Sequence, residues 1–309
     1  MSTERKRLRR RGFRGAALLS AMLAVSACAA HADTAAPVGA VASPAPGTET
    51  PHPSADPVDE SFGVPATLAA DFANLQQDLH GTVGLAVMRV GGDHALTLGT
   101  WTTGIAWSTI KVPLALAALR HDPVGLTDTA TAAITASDND AAQALWEALG
   151  GGNQAADAVE AVLREAGDTT TDVAQRHNPD GQVSVDDPLA FGSTVWTLLD
   201  QVRFASRLPC LHHAARVVDL MGQITSSQSW GLGAFVGAEF KGGWGPDDVT
   251  GNYLVRQFGL IPTWSGQLAV ALAAQPDSGL YDDATAMLDK LAALLARHVH
   301  ELGGGECRA

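Results

Sequence analysis

The sequence predicts an α/β (α+β) domain: a mostly antiparallel five-stranded sheet flanked by N- and C-terminal helices, with a helical subdomain beside it. Three observations carry that prediction. Strand-like apolar runs gather near both ends of the ordered part of the chain, and the stretch between them has helical periodicity. A helix pattern also stands at each extreme, where it can cover a sheet face.

The first element is not part of that domain. Residues 1–27 hold seven basic side chains up to Arg14, then a ten-residue apolar run from Ala16 to Val25. That run is about half of the ~20 residues needed to span a bilayer, so it reads as a cleavable export signal. "RRGF" at 10–13 resembles a twin-arginine signal, and "VSAC" at 25–28 resembles a bacterial lipobox. Cys28 is therefore the expected site of lipidation, giving a lipoprotein held on the outer face of the membrane; plain secretion is the alternative. Residues 28–62 carry six of the fifteen prolines and no hydrophobic period, which predicts a tether unable to bury a core.

The domain is expected over 63–302, with 303–309 as a tail. Its sheet part would comprise 63–107 and 228–302, and its helical part 108–227. A Leu- and Ala-rich helix at 64–79 leads into strands at 82–90 and 95–100, joined by the turn "GGDH". Helices are expected at 109–120, 138–149, 153–166, 187–207 and 213–224. Strands follow at 238–243, 253–261 and 267–274, and a helix at 282–302 closes the domain. Pro113, early in its helix, predicts a local kink.

Charge and cysteines bound the function. Net charge is −13 for the whole chain, and loss of the basic leader makes it more negative still. An acidic chain is a poor partner for nucleic acid. Cys210 and Cys307 would remain in an oxidising compartment, where they either pair or stay free. His212/His213 and His298/His300 lack metal-ligand spacing, so no metal or cofactor is expected, and the protein is expected to act as a monomer.

Chemistry concentrates in three short motifs at the predicted junction of the two parts: "STIK" at 108–111, "SDN" at 137–139 and "KGG" at 241–243. The chain has four lysines, at 6, 111, 241 and 290, and two of them fall in these motifs. Arginine cannot lose its proton in a protein, whereas a buried lysine can, and can then act as a base. One helical turn from Ser108, Lys111 is expected to bring its amine over the hydroxyl. Lys241 as a second cation would make Lys111 easier to deprotonate.

In order and together, these motifs resemble the Ser-x-x-Lys, Ser-Asp-Asn and Lys-Thr-Gly signatures of the serine β-lactamase and penicillin-binding protein superfamily, class A in particular. The resemblance covers about 63–302 and implies a serine hydrolase forming an acyl-enzyme on Ser108. It implies Lys111 as the base and Ser137 as a proton relay to Lys241. It further implies an oxyanion hole from the backbone N–H groups of Ser108 and Trp244. Asn139, Gly242 and Gly243 would bind substrate, Lys241 would attract its carboxylate, and Arg256 either meets an anionic substrate or is an ordinary surface arginine. Asp138 is expected to cap a helix. The implied substrate is a β-lactam or a related cell-wall (peptidoglycan-type) amide or ester. The alternative is a degenerate relative that binds cell-wall fragments or a protein partner without turnover.

Three departures stand out. Gly242 replaces the hydroxyl-bearing threonine, and Ser108 lies only 29 residues before Ser137, about half the spacing expected of the family. The Glu-x-x-Leu-Asn loop that supplies a deacylating glutamate is absent between 150 and 190, so deacylation should be slow. Asp172 is the nearest replacement, although a loop aspartate is its bland reading. His177 and Asn178 read as turn residues, and Trp107, Trp230 and Trp244 as core or cleft walls.

Overall fold

The computed structural model describes residues 63–173, 184–247 and 250–307. The leader, Cys28, the tether, His177 and Asn178 lie outside the described residues.

A five-stranded antiparallel sheet forms the frame, in the order β2-β1-β7-β6-β5. Its strands are β1 (Gly81–Arg89), β2 (Ala95–Gly99), β5 (Glu239–Pro246), β6 (Tyr253–Thr263) and β7 (Gly266–Pro276). Apart from Arg256 and Gln257, the buried middles of the central strands β6 and β7 are apolar on both faces because both faces are covered, and alternate side chains feed two separate cores. Val255, Ile261, Val270 and Leu272 meet α1 (Ala66–Gln77) and α8 (Tyr281–Leu302). Phe258, Ala269, Ala271 and Ala273 meet the helical part. In α8, Ala284, Leu288, Leu291 and Leu295 recur at helical spacing and are buried, which docks this long helix on the sheet.

The helical part comprises α2 (Lys111–His121), α3 (Thr127–Thr135), α4 (Asn139–Ala148), α5 (Gly152–Glu165), α6 (Leu198–Arg207) and α7 (Ala215–Met221). Helix α2 is its axis, with every residue from Lys111 to Leu119 buried. Helix α4 starts where expected, because Asp138 accepts from Ala141 N at 2.7 Å and caps it.

Several sequence expectations are corrected. The helix expected over 187–207 is broken into a 3₁₀ turn at Ala190–Ser193, a short strand β4 (Val195–Thr197) and α6. Strand β4 pairs with β3 (Thr103–Ile105), a two-stranded ribbon next to the turn that carries Ser108. Thr197 caps α6 by accepting from Asp200 N at 2.9 Å, which fixes the break. Pro113 causes no kink: residues Trp107–Ile110 form a 3₁₀ turn and α2 begins at Lys111, so the proline falls in the first turn, where its missing N–H costs little. The domain also continues past 302. Gly305 exchanges backbone hydrogen bonds with Gln267 at 2.9 Å, and Cys307 is bonded to Cys210, 97 residues earlier.

Candidate active site

The turn that carries Ser108 lies between the two parts. Trp107 and Ser137 both hold left-handed backbone, with φ of 50° and 58°. For side chains other than glycine this conformation is strained by ~1–3 kcal/mol, which surrounding packing must offset. Strand β5 lies directly against the turn, because Gly243 carries no side chain. A Cβ there would sit 2.8 Å from the backbone nitrogens of Ser108 and Thr109.

A cleft of about 370 Å³ opens at this junction, lined by Trp107, Ser108, Lys111, Asn139, Trp244 and Tyr253 among others. Ser137 and Lys241 sit behind that lining and complete a chain of contacts. The Lys111 amine donates to Ser137 O at 2.6 Å, Asp138 O at 3.2 Å and Asn139 Oδ1 at 2.7 Å. The Lys241 amine donates to Ser137 Oγ at 2.8 Å and Gly242 O at 2.8 Å. Ser137 thus joins the two lysines, one through its carbonyl and one through its hydroxyl.

Burial dominates their electrostatics. Lys111 is brought from its ordinary value down to about 8 by desolvation, partly opposed by the Asp138 carboxylate. Lys241, fully buried, is held well below the ordinary lysine value, first by desolvation and then by Lys111. Three acceptors around Lys111 match an ammonium, and two around Lys241 match a neutral amine. The pair therefore shares one charge more comfortably than two.

One expected contact is corrected. The Lys111 amine donates to the 137–139 segment, and the hydrogen bond expected between it and the Ser108 hydroxyl is not formed among the described residues. The remaining expectations divide. Trp244 lines the cleft, and its ring packs on Trp230 and Tyr281, with centroids 6.1 and 5.8 Å apart. Gly242 and Gly243 were expected to bind substrate, yet neither lines the cleft. Gly242 faces Trp230, whose Cη2 would lie 2.7 Å from a Cβ at that position, so the ring occupies the space a threonine would need. Asp172 does not line the cleft, and the residue after it is pinned by Glu160, which accepts from Val173 N at 2.6 Å.

Arg256 is also corrected. It is 0 % exposed and turned inward, so it meets neither solvent nor substrate. Its guanidinium donates to Gly104 O, Ile105 O and Trp196 O at 3.0–3.1 Å and to Gln201 Oε1 at 3.0 Å, and it stacks on Trp101. Burial draws its pKa down to about 9, which leaves it charged at neutral pH. Gln201 passes the contact on to Thr109 Oγ1 at 3.0 Å, and Thr109 Oγ1 donates to Ala106 O at 2.5 Å. Arg256 and Gln201 therefore brace the turn that carries Ser108 from behind. Gln201 was missed in the sequence; its signal is a polar residue at a buried position of amphipathic α6.

No model of a known protein family and no curated protein matches this sequence. Solved structures do. A class A β-lactamase from Mycobacterium abscessus is 17% identical with a TM-score of 0.55, covering 75% of this chain and 99% of its own. The TLA-1 extended-spectrum β-lactamase is 15% identical with a TM-score of 0.59, covering 76% and 98%. A variant of the last common ancestor of Gram-negative bacteria class A β-lactamase is 21% identical with a TM-score of 0.56, covering 77% and 99%. The chain has the class A β-lactamase fold.

Proposed function

We propose that this protein is an exported, lipid-anchored serine hydrolase that forms an acyl-enzyme on Ser108 and releases it slowly. The observation that carries the reading is the pair of buried lysines joined through Ser137 beside a cleft-facing serine. An amine with a pKa of about 8 is a base available near neutral pH, and a fold that needed only positive charge would have no reason to bury two.

In this reading the neutral form of Lys111 takes the Ser108 proton as Oγ bonds to the substrate carbonyl carbon. The backbone N–H groups of Ser108 and Trp244 stabilise the oxyanion. The Lys111 proton then passes to the leaving group as its bond to the carbonyl carbon breaks. Water must next attack the ester. Among the described residues no carboxylate lines the cleft to activate it. General-base help is typically worth about 10²–10⁴-fold, so deacylation should be slower by about that factor than in an efficient β-lactamase that has such a base. The substrates would be β-lactams or related cell-wall amides and esters, met at the outer membrane face where Cys28 would hold the domain.

The test is rapid mixing with a chromogenic acyl donor, paired with intact-mass measurement. The expected result is a burst of one acyl group per enzyme and then slow turnover. Fast steady turnover with no adduct would defeat the slow-release part. A second reading, binding without turnover, draws on the Lys111 amine donating to the 137–139 segment, with no hydrogen bond to the Ser108 hydroxyl among the described residues. A folded protein that forms no adduct with any acyl donor would favour it.

A further inference from the structure

Among the described residues, the cleft contains reacting groups but few means of holding an anion. Each position where the class A resemblance implied recognition of a substrate carboxylate is closed to that role. Gly242 has no hydroxyl, and Trp230 fills the space where one would stand. Lys241 is 0 % exposed and its amine is spent on Ser137 Oγ and Gly242 O. Arg256 is equally buried, with its guanidinium engaged by backbone carbonyls and Gln201. Lys111, the one cation lining the cleft among the described residues, is 1 % exposed and already surrounded by three acceptors. The chain as a whole carries a net charge of −13, which adds a repulsive field for any anion that approaches.

The walls suggest what does fit. Trp107, Leu189, Phe191, Trp244, Pro246 and Tyr253 line the cleft around Ser108, and its uncharged polar groups besides Ser108 are Asn139, Ser193, the Tyr253 hydroxyl and the indole N–H groups. Such a surface gains by covering an apolar group and loses by stripping water from an unpaired carboxylate.

Resting on the acyl-enzyme reading above, we infer that the preferred substrate is an uncharged ester or amide with an apolar acyl group, and that anionic β-lactams are poor substrates. A carboxylate left without its charge-assisted partners forfeits about ten- to a hundredfold in binding at the transition state.

A matched pair of probes isolates the charge: benzylpenicillin and its methyl ester, which differ only in whether the carboxylate is free. The readout is the second-order rate of mass-adduct formation on Ser108 in the wild-type protein. The methyl ester should acylate at least about tenfold faster than the free acid. In the double variant Trp230→Ala/Gly242→Thr, which restores both the hydroxyl and the room for it, the preference should narrow at least about threefold. Faster acylation by the free acid would overturn this inference alone, and an unchanged preference in a folded double variant would count against it. Acylation by neither probe, nor by an uncharged p-nitrophenyl ester, would remove the acyl-enzyme reading and this inference with it.

Discussion

The pH dependence of acylation follows from the burial of Lys111. Its pKa falls from 10.5 to about 8 because the folded protein strips water from the ammonium, and the reactive form in the proposed mechanism is the neutral amine. At pH 7 about a tenth of the enzyme would hold that form, at pH 8 about half, and at pH 9 about nine-tenths. The sign is therefore a rise with pH: the acylation rate should climb about tenfold from pH 7 to pH 9 and level off. A lysine of ordinary pKa would give a rise of about a hundredfold over the same range with no plateau. The assay is the pre-steady-state rate with an uncharged p-nitrophenyl ester at constant ionic strength, corrected for hydroxide hydrolysis of the ester alone. Lys111→Arg retains charge but not basicity, so it should lose the pH dependence and more than about tenfold in rate, or ~1.4 kcal/mol. A flat wild-type profile, or an arginine variant within a factor of about ten of wild type, would refute Lys111 as the base.

Two further expectations follow from the packing. Arg256→Met should leave several buried carbonyls unpaired, lowering stability by ~2–4 kcal/mol, read as a fall in the denaturant midpoint. It should not selectively raise KM for carboxylated substrates, and a selective rise would reinstate a substrate role. The Cys210–Cys307 bond closes a 97-residue span, so Cys210→Ala with Cys307→Ala should cost up to ~4–5 kcal/mol on the chain-entropy view. An unchanged melting temperature would mean that the closing segment contributes nothing to the folded state.

Local signals carried most of the frame. The long strands 82–90, 253–261 and 267–274 announced themselves as apolar runs between turns, and each lies within a residue or two of its observed span. The motifs at 108–111, 137–139 and 241–243 do converge, because α2, the Asp138-capped start of α4 and edge strand β5 meet at one junction. The ribbon of β3 and β4 was hidden because three residues cannot display a period of two, and its partners lie about ninety positions apart. Thr197-x-x-Asp200 was a legible cap within the misread helix. Arg256 was misplaced for a different reason. A lone charge in a largely apolar strand belongs here to a strand covered on both faces, and it is buried with its own acceptors. The orientation of Lys111 depends on where Ser137–Asn139 stand in space, which spacing along the chain does not encode.

The most direct measurement is covalent labelling of Ser108. Purified wild-type protein and Ser108→Ala, both shown folded by circular dichroism, are incubated with a fluorescent penicillin and, separately, with an activated uncharged ester, then analysed by intact mass and peptide mapping. The expected result is one acyl group on the peptide carrying Ser108 in the wild type and none in the variant. Equal labelling of the two proteins, or an adduct mapped to any other residue, would contradict Ser108 as the nucleophile.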